Sequence, residues 1–166
     1  TGVPGAGSAP GAAAVPTKAT TGAFGFTNPT APVKSYLAWL TAQAGNNATN
    51  LEIHDRLAHM SGLSGTVTTS QGALSLVTNN PGSARLGETN YSDVQWWLEV
   101  YTAMGSTGVN ATVAVTYNDD STGNLAAIAL GATPRAGRLY PLVSASAGKF
   151  IKAVTGVTLS ATTGTA

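Results

Sequence analysis

The chain has 166 residues, no cysteine and a formal net charge of +1, and only 9% of its residues are charged. This excludes a disulfide framework and a thiolate metal site, and it shows no broad basic footprint for direct nucleic-acid binding. No apolar run reaches the ~18 residues needed to span a membrane.

The length suits one ordinary domain plus a tail. A surface so poor in charge, against roughly 25% in typical soluble proteins, is easier to understand where other chains cover it. A secreted β-protein with a Ser/Thr/Asn surface has a similar composition. The opening TGVPGAGSAP is neither basic nor strongly apolar, so it does not read as a signal peptide.

Residues 1–33 hold five of the eight prolines, mixed with Gly and Ala, and Lys18 is their only charge. Proline removes donors and glycine raises the entropy of ordering, so this stretch makes no core of its own. Yet it carries Phe24 and Phe26, with Val3 and Val15 before them. An extended arm that orders on a partner accounts for both features better than a linker does. SYLAWLTAQAG, from Ser35, reads as a short helix that gathers Tyr36, Leu37 and Leu40 and stops at Gly45. Tyr36 and Trp39 could also pack against the phenylalanines of the arm.

From about Leu51 the pattern is mostly period two. NLEIHDRLA reads as a strand with Leu51, Ile53, Asp55 and Leu57 on one side. GTVTTSQGALSLVT is β-branched and is broken by a turn or bulge at Gly72. DVQWWLEVYTAM has strand and helix readings. Its β-branched and aromatic content favours a strand, with Val94, Trp96, Leu98 and Val100 on one face and Trp97 and Tyr101 on the other. VNATVAVTY is the clearest strand, with Val109, Ala111, Val113, Val115 and Tyr117 facing one way. NDDSTGN turns, and LAAIAL returns as the hairpin partner. GRLYPLV and VTGVTLSATT follow as strands, and Pro141 marks an edge. The expected fold is all-β: a β-sandwich or jelly-roll-like domain over residues 34–166, one short helix, and the arm over 1–33.

Chemistry-bearing motifs are weak. His54, Asp55 and His59 form an H-D-x-x-x-H string, but His54 and Asp55 point to opposite faces of a strand, and the i, i+5 spacing of the histidines is poor on a helix. Asp119-Asp120-Ser121-Thr122-Gly123 lacks the full ligand set and closing Glu of a calcium loop; these are turn residues. SGLSG around Ser64 has the wrong spacing for a nucleophile elbow. The sequons at Asn47, Asn90 and Asn110 arise easily in a Thr-rich chain. No catalytic residue, metal or cofactor is expected.

HDRLAHMSGLSGTVTTSQ, VQWWLEVYTAMGSTGVNATVAVTYNDDSTG, GRLYPLV and VTGVTLSATTGTA together resemble a family of small virion structural proteins of long-tailed double-stranded DNA bacteriophages. The resemblance covers roughly residues 50 to 166. Its most specific parts are the D-R-L-x-H-x-S-G-L-S-G stretch and the closing V-T-L-S-A-T-T-G-T-A. In the family pattern the chain often continues past T-G-T-A into another strand.

The resemblance implies a non-enzymatic decoration, or cement, protein on the capsid exterior. Its expected partners are the major capsid protein and copies of itself, in a trimer, without direct contact to nucleic acid or membrane. Multivalent weak contacts would then stabilise the shell. Phe24, Phe26, Tyr36, Trp39, Trp97 and Tyr101 are the candidate partner contacts. The alternative is a tail- or fibre-associated adhesin that binds host glycan through aromatics such as Trp97 and Tyr101.

Overall fold

The computed structural model describes residues 13–20, 27, 29–34, 36 and 54–164. The helix expected from Ser35, and Phe24, Phe26 and Trp39, lie outside them.

Among the described residues the fold is all-β apart from one helical turn. The elements are β1 (Leu74–Ser75), α1 (Ser83–Leu86), β2 (Trp96–Val100), β3 (Val109–Tyr117), β4 (Thr122–Asn124), β5 (Ile128–Gly131), β6 (Arg138–Leu142) and β7 (Ile151–Leu159). All pairings are antiparallel. One sheet runs β1-β7-β3, with β4 and β5 sharing the far edge of β3; β2 and β6 form a separate two-stranded sheet. Their inner side chains meet in a single core, which makes the domain a two-layer, sandwich-like structure.

The strongest period-two segment becomes the central strand. Val109, Ala111, Val113, Val115 and Tyr117 of β3 are buried, while Asn110 and Thr112 face solvent. The core continues through Leu130 of β5 and Ile151, Val154, Val157 and Leu159 of β7. The opposite layer adds Val100, Tyr140 and Leu142, with Trp96 and Leu98 packed against them. Each such side chain, once covered, favours folding by about 1.5–3 kcal/mol.

Two aromatic residues pin the layers through their polar tips. The Trp96 indole N–H donates to the Ile151 carbonyl at 2.8 Å. The buried Tyr140 hydroxyl donates to the Leu130 carbonyl at 2.5 Å. Tyr140→Phe is expected to lower unfolding stability by about 1–3 kcal/mol without changing the fold, because it orphans a buried carbonyl. Equilibrium denaturation checks this; a change within the scatter of ordinary surface variants would mean that the carbonyl is hydrated.

β7 departs from simple alternation. Its pairing with β3 skips Lys152 and Thr155: Tyr117 faces Ile151, Thr116 faces Ala153, Val115 faces Val154 and Ala114 faces Gly156. Each skipped residue is a bulge. The inward positions therefore fall at 151, 154, 157 and 159, so every large apolar residue of IKAVTGVTL reaches the core.

Two expectations need correction, while those for Gly72 and Pro141 do not. Residues 54–58 form no strand; they run as an irregular segment, and only His59 makes a bridge. The reason is on the neighbouring sheet, whose outer side chains take up this segment one by one (below). The turn after β3 is shorter than NDDSTGN, because Thr122–Asn124 already pairs with β3. Gly72 has φ +66°, and an added Cβ would collide with the Met60 and Leu63 side chains, which accounts for glycine there. Pro141 lies in a two-stranded sheet, where each strand has a free edge, as expected of a strand proline.

Candidate docking surface

The register of the small sheet fixes which side chains leave the core. Trp96 faces Leu142 and Leu98 faces Tyr140 on the inner side; Trp97 faces Pro141 and Glu99 faces Leu139 on the outer side. Trp97 is 39% exposed and Leu139 48%, and Val143, just past β6, is 67% exposed. Tyr101, just past β2, is 38% exposed. The two faces of DVQWWLEVYTAM are thus divided as the strand reading requires. The outer one forms an apolar strip of Trp97, Leu139, Pro141 and Val143.

A cleft of about 460 Å³ opens beside this strip, lined by Trp96, Trp97, Pro141, Val143 and Phe150 together with Gln95, Ser144, Ser146 and Lys149. Leu139 and Val143 were not foreseen as contact residues. Their signal was present in GRLYPLV, where apolar residues stand on both alternating faces.

Segment 54–62 lies along the other edge of this outer face. The His54 ring meets Trp97 edge-on at 6.4 Å. Arg56 forms an ion pair with Glu99 at 3.2 Å. The Tyr101 hydroxyl accepts the Gly62 N–H at 2.7 Å. Part of the aromatic surface expected for partners is therefore covered by the chain itself.

The N-terminal segment is fastened to the same region. Ala14 and His59 exchange two backbone hydrogen bonds of 2.8 Å. Arg85, in the single turn α1, donates to both Asp55 oxygens at 2.7 and 2.6 Å, to the Pro16 carbonyl at 3.0 Å and to the Arg56 carbonyl at 3.1 Å. The paired guanidinium holds the Asp55 carboxyl below its ordinary value. Sequence reasoning missed Arg85, whose role depends on bringing together residues 30 and 69 positions away in the chain. Tyr36, 81% exposed, makes no part of this cluster.

The H-D-x-x-x-H residues go to different partners: His54 to Trp97, Asp55 to Arg85, and His59 Nδ1 to Arg56 at 3.2 Å. No group of three His, Cys, Asp or Glu suited to a metal ion occurs among the described residues.

In the acidic turn, a lysine occupies the position a cation would take. Lys149 Nζ lies 3.2 Å from Asp119 and 2.6 Å from the Ser121 hydroxyl, and Lys152 pairs with Asp120. Hydrogen bonds from Ser121 and then Lys149 bring the Asp119 carboxyl down to about 2. Ser64 is occupied structurally: its N–H and carbonyl both bind the Gln71 side-chain amide, at 2.8 and 2.9 Å. No histidine contacts its hydroxyl, which is hydrogen-bonded to Thr66.

Comparison with family models, with curated proteins and with solved structures found no match. Here the two stretches most specific to the resemblance prove to be neighbours: the Thr163 N–H and hydroxyl both donate to the Gly65 carbonyl, at 2.9 and 3.1 Å. Thr163 is 1% exposed.

Proposed function

We propose that this chain is a non-enzymatic structural protein of a tailed-bacteriophage virion, a decoration protein that stabilises the head by binding major capsid subunits. The observation that carries the reading is the outward apolar strip of Trp97, Leu139, Pro141 and Val143. It sits on a domain whose acidic, serine and histidine motifs are all engaged in holding structure. A contiguous exposed apolar patch marks a protein contact.

The scarcity of charge supports the same reading, because a covered surface needs few charges for solubility. So does the resemblance over residues 50 to 166, whose two most specific stretches meet at Gly65 and Thr163. The N-terminal segment, fastened at Ala14 and Pro16, supplies a second attachment through the residues around it, Phe24 and Phe26 among them. Trimeric assembly on the capsid exterior is the arrangement this proposal entails.

A tail- or fibre-borne adhesin is the second reading. It is favoured by the cleft beside Trp97, where aromatic faces adjoin Gln95, Ser144 and Ser146, groups suited to a sugar ring. Copy number separates the two: a decoration protein is among the most abundant components of the particle, whereas an adhesin is present in few copies.

The direct test is binding to bare heads. Full-length protein is expected to decorate them, and Leu139→Asp with Val143→Asp, or removal of residues 1–33, is expected to weaken binding at least about tenfold, the equivalent of 1.4 kcal/mol. Absence of any binding to heads, combined with low copy number in the virion, would overturn the proposal.

A further inference from the structure

His59 combines two properties that call for a joint explanation. Its backbone is the partner of Ala14, so it holds the N-terminal segment to the body. Its side chain carries a buried Nε2 that has no hydrogen-bond partner. Arginine only donates, so Nδ1 accepts from Arg56, and in the neutral ring the proton sits on Nε2. A buried donor without an acceptor is rare in a folded protein and asks for a reason.

We propose that His59 is a pH-sensitive latch: protonation of its ring unseats residues 56–59 and releases the N-terminal segment from the body.

A second proton has to go on Nδ1, which now faces the guanidinium of Arg56. The contact then sets donor against donor and cation against cation. The charged ring is also half-buried, with no carboxylate bonded to it. Among the surrounding charges, Glu99 favours the imidazolium but is already paired with Arg56, and the Asp55 carboxylate is held by Arg85. Burial first, and Arg56 second, push His59 below 6.5, with Glu99 opposing them.

In the released state the ring regains water and its ordinary proton affinity. Docking is therefore at full strength above 6.5 and weakens as pH falls through the window between 6.5 and the depressed value, by up to about tenfold per pH unit. Asp55 stays ionised throughout, because Arg85 holds it below 3.8, so the second fastening does not titrate in that window.

The isolated full-length protein suffices for the test, which does not depend on the virion reading. The chain has no cysteine, so Ala19→Cys, at an exposed position in the docked segment, accepts a single nitroxide. Its electron paramagnetic resonance line shape is expected to pass from a restricted to a mobile form between about pH 7.5 and about pH 5. In His59→Gln, which cannot titrate, the line shape should stay constant over that range. In Glu99→Gln, which loses the charge that favours the imidazolium in the docked state, docking should weaken more at each pH below 6.5, so the transition should move to higher pH. An unchanged line shape in the otherwise wild-type protein, or a transition that persists in His59→Gln, would overturn the latch.

Discussion

Leu142→Ala is expected to lower unfolding stability by about 2–5 kcal/mol, while Leu139→Ala, three residues earlier on the same strand, changes it by less than about 0.5 kcal/mol. Leu142 is 8% exposed and belongs to the interlayer core. Truncating it removes apolar contacts from both sheets and leaves a cavity that a two-stranded layer, pinned by Trp96 and Tyr140, closes only in part. Leu139 projects from the opposite face of β6 and is already in contact with water. The pair thus measures the facing of the small sheet directly. Thermal denaturation should show a fall of roughly 3 °C or more per kcal/mol for Leu142→Ala, and almost none for Leu139→Ala. Equal losses from the two substitutions would mean that the outer strip is covered within the monomer, and the proposed docking surface would be lost with it.

Arg85→Ala is expected to detach residues 13–16 while leaving the sandwich folded. One guanidinium serves the Asp55 carboxylate, the Pro16 carbonyl and the Arg56 carbonyl, so its removal takes a donor from each at once. Asp55 is 57% exposed at its side chain, so water screens that pair and rehydrates the carboxylate when the partner is gone. The net loss is about 1–2 kcal/mol, local to the docked segment. That corresponds to roughly a five- to thirtyfold fall in the docked fraction relative to the free one. Hydrogen exchange should show the loss at the Ala14 and His59 amides, which are bonded to each other, with β3 and β7 unaffected. Arg85→Lys should not restore protection, because an ammonium cannot form the two-pronged contact with Asp55 while also reaching two carbonyls. Undiminished protection in Arg85→Ala would assign the docking to the Ala14–His59 bridge alone.

Much of the fold was legible because alternation is a local property. A strand buried on one face shows itself in its own residues, and VNATVAVTY and DVQWWLEV did so. Segment 51–57 shows the limit of that signal. Asp55 and Leu57 alternate as a strand would, but the described residues 54–58 are fixed by side chains on another strand, and no ladder forms. β7 shows the converse: two bulges discard Lys152 and Thr155 from the pairing, so its core positions are spaced by three, three and two. No period-two template finds them.

The candidate surface divides in the same way. Trp97 and Tyr101 were recognisable as leaving the core, since their parity on the strand is opposite to that of Trp96 and Val100. Arg85 and His59 were not recognisable as fastenings, because nothing near them in sequence distinguishes them from ordinary surface residues.

Local periodicity and composition thus carry the all-β class, the central strand, the two-faced character of β2 and the absence of thiol chemistry. Tertiary structure decided which parts of the outer aromatic face stay open, where residues 14–16 attach, and that Lys149 and Lys152 neutralise the acidic turn. Those outcomes depend on side chains distant in sequence, and only the packing of the two sheets brings them within a few ångströms of one another.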